Sequence, residues 1–306
     1  SPWERALPGD PLLLLRSGSP GFLQLAADGG GGVDGGCAIG EEGELRVLRA
    51  DGAELPDAAL GDVELVHGEP WTPDVTIQVV TRERPDFLRR ALGLISRQDL
   101  PYSALEVLVV DDSPRCSLEF DVLADLDSDF VRRCLRYVHL PRSEPLPIGS
   151  KRNLATLVSR GSVVMHWDDD DFFGPSRARL QSAPILAGRA DVVLVPQVWS
   201  FHAGDAQGPD GFYESDGAGG HMCTLAYRRS LWSAKDPLRQ YAEASLMEDL
   251  FFFRNVTGLY GAVAEDLEPG VVDFLYTNHA RSASSAPRVG RPSARAPSFL
   301  PRAYLA

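Results

Sequence analysis

At 306 residues the chain can hold one large α/β domain with an appendage, or two modest domains, each with a proper core. Its 44% apolar and 8% aromatic content fits a globular protein, and a formal net charge of -13 argues against nucleic acid, whose phosphates are bound by clustered Lys and Arg. An acidic chain that handles a phosphorylated small molecule does so best through a divalent cation. No apolar run approaches the roughly 20 residues of a membrane span, and Leu12 to Leu15 is too short for a signal-peptide core. Cys37, Cys116, Cys134 and Cys223 are scattered without a CxxC pair and read as buried thiols, which leaves the compartment open. The chain starts on Ser, so it reads equally as a cytoplasmic protein or as a lumenal domain whose anchor has been trimmed.

Residues 1–72 read as a small β-rich appendage. The run Asp28-Gly29-Gly30-Gly31-Gly32 is turn-forming and has no Lys-Ser/Thr after it, so it is no phosphate loop. Glu44 to Leu48 alternates like a strand, and Asp51-Gly52 suggests a hairpin turn. From Val75 the pattern changes to apolar strands alternating with amphipathic helices, the signature of a mostly parallel sheet with flanking helices. Val75 to Val80 is the first predicted strand, Thr81 to Pro85 the loop leaving it, and Asp86 starts a helix with Phe87, Leu88, Ala91, Leu92 and Ile95 on one face. Leu105 to Val110 is a second strand ending in Asp111-Asp112, and Leu135 to Leu140 a third. A helix is predicted from about Ser150, and Ser162 to Trp167 is a fourth strand ending in Asp168 to Asp171. Further on come a strand at Asp191 to Val198, a Gly-rich loop from Gly204 to Gly220, a strand at Met222 to Tyr227, an apolar helical face over Leu246 to Val256 and a late strand at Val271 to Tyr276. Residues 281–306, rich in Ser, Pro, Ala and Arg, read as a draped or unfolded tail.

Ligands of open α/β sheets bind beyond the carboxyl ends of the strands. Three of these strands end in polar loops, Thr81 to Arg84, Asp111-Asp112 and Asp168 to Asp171, so one rim collects them. Four adjacent carboxylates repel one another, more so behind apolar walls, unless a cation offsets them. On an extended backbone Asp168 and Asp170 would face one way and Asp169 and Asp171 the other. A pair of carboxylates suits Mg2+ or Mn2+, which keep positions for water and substrate phosphates. A Ca2+ EF-hand loop is excluded, because Arg179 stands where the bidentate Glu belongs.

The order of motifs resembles the nucleotide-sugar half of a family 2 type glycosyltransferase with the GT-A fold. Those motifs are Thr81 to Pro85, a strand ending Val109-Val110-Asp111-Asp112-Ser113, Gly149-Ser150-Lys151-Arg152-Asn153, and a strand running into Asp-x-Asp-Asp with Pro175 four residues beyond. The resemblance implies a Rossmann-like GT-A domain over residues 73–280, with a nucleotide-sugar half at 73–175 and an acceptor half at 176–280. It implies that Thr81 and Arg84 line the base and diphosphate pocket, that Asp111 or Asp112 accepts from the uracil imide, that Lys151 or Arg152 sits by the base or phosphates, and that Asn153 holds the loop. Asp168 would contact the ribose or metal-bound water, Asp170 would ligate Mn2+ or Mg2+, and His279 would reach the metal or a phosphate. Asp169 would stand with the nucleotide-sugar-binding residues but departs from the pattern, where a small residue is common. In Ser245-Leu246-Met247-Glu248-Asp249 the resemblance makes Asp249 the base that deprotonates the acceptor hydroxyl, aided by the helix dipole, with Glu248 a helper or, with Ser245, half of a capping box. The implied activity is metal-dependent, inverting transfer from a nucleotide sugar, UDP-linked by preference, to a glycan, protein or small-molecule acceptor. The alternatives are a nucleotidyltransferase of related architecture and a non-catalytic module that binds glycans or nucleotide sugars. His166 reads as packed structure and His221 as a weak acceptor-site candidate. Trp199, Phe201, Tyr213 and Trp232 read as sugar-stacking or core aromatics.

Overall fold

A computed structural model of the chain describes residues 72–115, 117, 126–140, 142–203, 210–279, 291–293 and 295–301, and the backbone of three earlier strands. Those strands are β1 (Phe22–Gln24), β2 (Gly35–Ile39) and β3 (Leu45–Arg49). β3 pairs antiparallel with β2 before it. The predicted Asp51-Gly52 turn and the bulk of the expected appendage lie outside the described residues.

The main domain begins with β4 (Val75–Thr81) and α1 (Pro85–Ile95), then β5 (Leu105–Asp111), α2 (Ser128–Cys134), β6 (Leu135–His139), α3 (Ile148–Val158) and β7 (Val163–His166). There follow β8 (Phe172–Phe173), α4 (Arg177–Leu186), β9 (Val192–Pro196), β10 (Trp199–Ala203), β11 (Gly211–Glu214), β12 (Gly220–Arg228), α5 (Glu248–Gly258), β13 (Ala264–Asp266), β14 (Phe274–His279) and β15 (Arg291–Ser293). Eight strands form one sheet in the order β1-β6-β5-β4-β7-β12-β9-β13. The sheet is mixed where a mostly parallel one was expected. β12 runs antiparallel to both β7 and β9, because the chain leaves this sheet after β9, builds β10 and β11 in a second one, and returns from the opposite direction.

Strands covered on both faces carry continuous apolar runs, and β5 is buried at every position. Val107 and Val109 belong to a core shared with Leu88, Leu92 and Ile95 of α1 and Ala178 and Ile185 of α4. Their neighbours Leu108 and Val110 pack with Ala155 of α3 on the other face, where Phe252 and Val256 of α5 meet Val164 and Tyr227. Val79 and Val109 stand at matched positions of paired strands, so the alternation stays in register across the sheet.

The second sheet, β15-β11-β10-β14-β8, draws all its strands from Phe172 onward. β8 follows the acidic run directly, so Asp168 to Asp171 connect the two sheets. Several predicted features shift. Strand β11 occupies part of the predicted Gly-rich loop, since Phe212 finds an antiparallel partner in Phe201. The late strand starts at Phe274 rather than Val271, which is exposed. The apolar face of α5 is narrower than its composition suggests: Phe252 and Val256 are buried, whereas Leu246 and Phe251 face solvent. Phe87 leaves the core face of α1 and stacks on His279 at 4.9 Å. In the tail, residues 281–290 lie outside the described set, but β15 pairs with β11, Leu300 is buried and Phe299 stacks on Phe172 at 5.7 Å.

Candidate active site

The acidic run is a turn and not an extended strand, closed by Asp171 N–H donating to the Asp168 carbonyl at 3.4 Å. The expected alternation of its side chains therefore fails, and the four carboxylates fan in different directions. Arg177, from the start of α4, anchors both flanks of the run: its guanidinium lies 4.9 Å over the Trp167 ring and 3.6 Å over Phe173, and Nη2 donates to the His166 carbonyl at 2.6 Å. Burial pushes Arg177 down to about 9.

Asp169 and Asp170 turn toward the end of β4. Thr81 donates to Asp169 Oδ2 at 2.7 Å, and Arg84 Nη1 reaches Asp169 Oδ1 at 3.0 Å and Asp170 Oδ2 at 3.2 Å. Between them Glu83 holds φ at 51°, a left-handed conformation rare outside glycine and a mark of a constrained loop. His279 Nε2 lies 3.1 Å from the same Asp170 oxygen, brought there by β14.

Asp168 turns the other way, accepting from Arg152 Nη2 at 3.2 Å. Arg152 Nε also donates to Glu248 Oε1 at 3.2 Å, so one buried guanidinium joins the acidic turn to the start of α5. Its Nη1 is buried without a hydrogen-bond partner. The predicted capping box is absent. Met247 occupies the N-cap with φ at 61°, Ser245 accepts from Ile148 N at 3.2 Å, and Glu248 is spent on Arg152. Asp249 opens the same helix, close enough for its charge to act on Asp168, Glu248 and Arg152. Arg152 reaches this seam because α3 starts hard against residues 242–244. Gly149 N–H donates to the Ala244 carbonyl at 2.9 Å, and a Cβ at Gly149 would lie 1.8 Å from the Ala242 oxygen.

No Lys or Arg among the described residues hydrogen-bonds to Asp171, although the buried Arg177 guanidinium is close enough for its charge to act on it. It accepts from Thr277 N at 2.8 Å and from the Cys223 thiol at 3.4 Å. One donor atom each from Asp168, Asp171 and Cys223 lies within 4.8 Å of the others, a set that could hold a metal ion. Sequence reasoning left Cys223 among the incidental thiols. The available signal was its position two residues after His221 on a strand, which puts both side chains on one face.

The base-pocket candidates separate. Asp111 is fully buried and saturated, accepting from Ser113 N and Ser117 N at 2.9 Å each and from the Tyr137 and Ser113 hydroxyls. Asp112 accepts from Lys151 Nζ at 2.9 Å and Leu146 N at 2.6 Å, and Lys151 also donates to the Thr81 carbonyl at 3.2 Å. Asn153 donates to the Tyr241 carbonyl and accepts from Tyr241 N and Trp232 Nε1, all at 2.8–2.9 Å, tying α3 to the segment before α5. His166 is buried against the Tyr241 hydroxyl at 2.7 Å, and burial holds it well below the usual imidazole range. Trp199, Phe201 and Tyr213 pack within the second sheet.

Electrostatics match this geometry. Burial, then the Asp170 charge, lifts Asp169 to about 6. Burial, then Asp170 and Asp168, lifts Asp171 well above the carboxylate range, and burial also raises Asp168 and Glu248 despite Arg152. Burial would lower Arg152, but Asp168, Glu248 and Asp249 outweigh it and hold the guanidinium above its ordinary value.

A mixed α/β sheet whose strand ends meet at an acidic turn is the layout of a ligand-binding rim at which a cation can join. Residues 76–240, more than half the chain, match the family described as Glycosyl transferase family 2, and the chain belongs to that family. No curated protein sequence matches it. Among solved structures it is similar to S. aureus TarS 1–349, at 21% identity and a TM-score of 0.49 over 67% of this chain and 60% of that one. The same TarS fragment in complex with UDP-GlcNAc gives 20% and 0.49 over 70% and 62%. Mannosyltransferase PcManGT from Pyrobaculum calidifontis, in complex with GDP-Man and Mn2+, gives 19% and 0.47 over 72% and 61%. The chain thus spans less than two thirds of the length of these structures. Among the described residues no helix is long and apolar enough to cross a membrane.

Proposed function

We propose that this family 2 member is a metal-dependent, inverting GT-A glycosyltransferase that moves a sugar from a nucleotide sugar, UDP-linked by preference, to an acceptor hydroxyl. The observation that carries the reading is Arg152, bonded at once to Asp168 of the acidic turn and to Glu248 beside Asp249. Donor-side and acceptor-side acids thereby share one seam, which transfer between two bound substrates requires.

The residues fit a hard divalent cation. Carboxylates crowd a turn with too few cationic partners, and burial there favours their neutral forms until a positive charge arrives. Asp170 and Asp168 would hold the ion, with His279 beside Asp170. When bound, such an ion offsets charge gathering on the departing diphosphate. The chain's own residues do the rest. Asp249 accepts the proton of the attacking hydroxyl. Glu248, fixed by Arg152, sets the start of α5 and so the position of Asp249. Arg84 and Thr81 orient Asp169 and Asp170. Lys151 and Asp112 support the base end; Asp112, like Asp111, is fully buried, bonded to Lys151, Arg82 and the Leu146 amide, so either would meet a uracil imide only after rearrangement. A nucleotidyltransferase is disfavoured because Thr81 to Pro85 carries no glycines to cradle a triphosphate.

The test incubates the protein with Mn2+, UDP- and GDP-sugars and mixed hydroxyl acceptors. Released nucleoside diphosphate is measured, and the anomeric configuration of product is read by NMR. UDP release with inverted product is expected. No release from any donor, with nucleotide binding intact, would establish the binding-module alternative, and retained configuration would remove the single-displacement role of Asp249.

A further inference from the structure

Cys223, His221 and Asp171 take no part in the transfer as described, yet they form a built constellation against Asp168. We propose that Asp168, Asp171 and Cys223 form a second, thiol-containing cation site selective for a thiophilic divalent ion of the Zn2+ class, sharing Asp168 with the donor-metal site.

A tetrahedral Zn2+ about 2.3 Å from sulfur and about 2.0 Å from oxygen puts these two atoms about 3.5 Å apart. Cys223 Sγ lies 3.4 Å from Asp171 Oδ2. One donor atom from Asp168 lies within 4.8 Å of both, so a modest inward rotation of the most exposed member completes three ligands and leaves a fourth position for water. Mg2+ and Mn2+ prefer all-oxygen surroundings, and thiolate ligands select softer ions. His221 Nδ1 is 2.9 Å from the sulfur, and its Nδ1–H tautomer donates to a metal-bound thiolate, the outer support that metal ligands commonly receive. Asp171 is the second independent pointer: it is buried, no Lys or Arg among the described residues hydrogen-bonds to it, and the Arg177 guanidinium acts on it only through space. On binding, the S–H bond breaks, the metal–sulfur bond forms and the proton leaves to solvent. The site itself needs only the observed geometry. Its antagonism to the donor metal, through shared Asp168 and like-charge repulsion, rests on the function proposed above.

The test uses Co2+ as a coloured stand-in on the metal-free full chain, with no donor and no turnover, so its failure is distinguishable from failure of the transfer assay. Wild type should give a thiolate-to-cobalt charge-transfer band that Zn2+ abolishes at equivalence and a tenfold excess of Mn2+ leaves. Cys223→Ser should lose the band and Asp170→Ala should keep it. No band in wild type, a band that survives in folded Cys223→Ser, or equal displacement by Mn2+ each overturns the proposal. A mutation-free check alkylates wild type and reads Cys223 by peptide mass spectrometry. Zn2+ and not Mn2+ should slow labelling at least about tenfold, matching an affinity difference of about 1.4 kcal/mol, and equal labelling refutes it.

Discussion

Replacing Arg152 with Met keeps the length of the side chain and removes the charge shared by Asp168 and Glu248. Breaking a buried ion pair by removing one partner costs about 3–5 kcal/mol, because the other charge stays behind without compensation. Here two carboxylates are left, one nearly enclosed with Glu248 at 6% side-chain exposure and one at 28% with Asp168. The wetter partner moves the expectation to the low end, about 3 kcal/mol at neutral pH. The loss must also depend on pH. Both carboxylates already sit above their ordinary range, burial being the first cause, and Arg152 is the influence that holds each down. Without it their folded-state values rise further. An acid whose value is raised on folding binds more protons folded than unfolded, so it loses stability as pH climbs and regains it as pH falls. The deficit of Arg152→Met should therefore shrink by at least about 1 kcal/mol between pH 7.5 and pH 5.5. Urea unfolding followed by tryptophan fluorescence at both pH values measures it. A deficit below about 1 kcal/mol, or one equal at both pH values, would mean that the bridge is screened by solvent and that the seam between turn and helix is not electrostatic.

Asp249→Asn should cut transfer at least about 100-fold while nucleotide affinity changes less than about twofold, measured by kcat and by ligand-induced thermal shift. Asp170→Ala should abolish the Mn2+-dependent part of the UDP thermal shift; an undiminished shift would move the metal elsewhere. Gly149→Ala drives a Cβ into the Ala242 carbonyl and should cost about 1–3 kcal/mol in urea unfolding, because backbone on one side must yield. Asp169→Asn removes a carboxyl raised to about 6, whose folded form sheds stability as pH rises from the ordinary value through 6. The variant's unfolding free energy should gain on wild type by about 2 kcal/mol between pH 4 and pH 7 without metal, and a gap that does not move would refute the burial of that charge.

What the sequence disclosed of the fold is what local chemistry writes down. Val75 to Val80 and Leu105 to Val110 are β-branched runs long enough to be central strands, and both are strands within one residue of expectation. β12 was legible as a strand, but nothing in Met222 to Tyr227 states its direction, which depends on the excursion through β10 and β11. Leu300 and Phe299 were hidden for a similar reason, since a tail poor in apolar residues can dock with two when the second sheet leaves Phe172 and Leu275 to cover. Ser245 and Glu248 had the spacing of a capping box, yet a buried arginine 96 residues earlier claimed Glu248. Local hydrogen-bond grammar is decided by whichever partner offers more charge.

The four aspartates show the same limit and what structure adds to it. Their number and place at a strand end pointed to a cation, and an alternating strand would have divided them into two equivalent pairs. The turn divides them by partner instead. Arg84 serves Asp169 and Asp170, Arg152 serves Asp168, and Asp171 hydrogen-bonds only to an amide and a thiol, with Arg177 acting on it through space. With all four ionised, and with Arg152 shared with Glu248, the Arg84, Arg152 and Arg177 guanidiniums leave the turn short of positive charge, a deficit that a divalent ion would reduce. Before an ion arrives, burial eases the crowding by favouring the neutral form of Asp171 and, below about pH 6, of Asp169, the two buried members. Asp169, which broke the expected family pattern, thus has a physical place, tying the β4 loop to the turn through Thr81 and Arg84 while its more exposed neighbours remain for ligands.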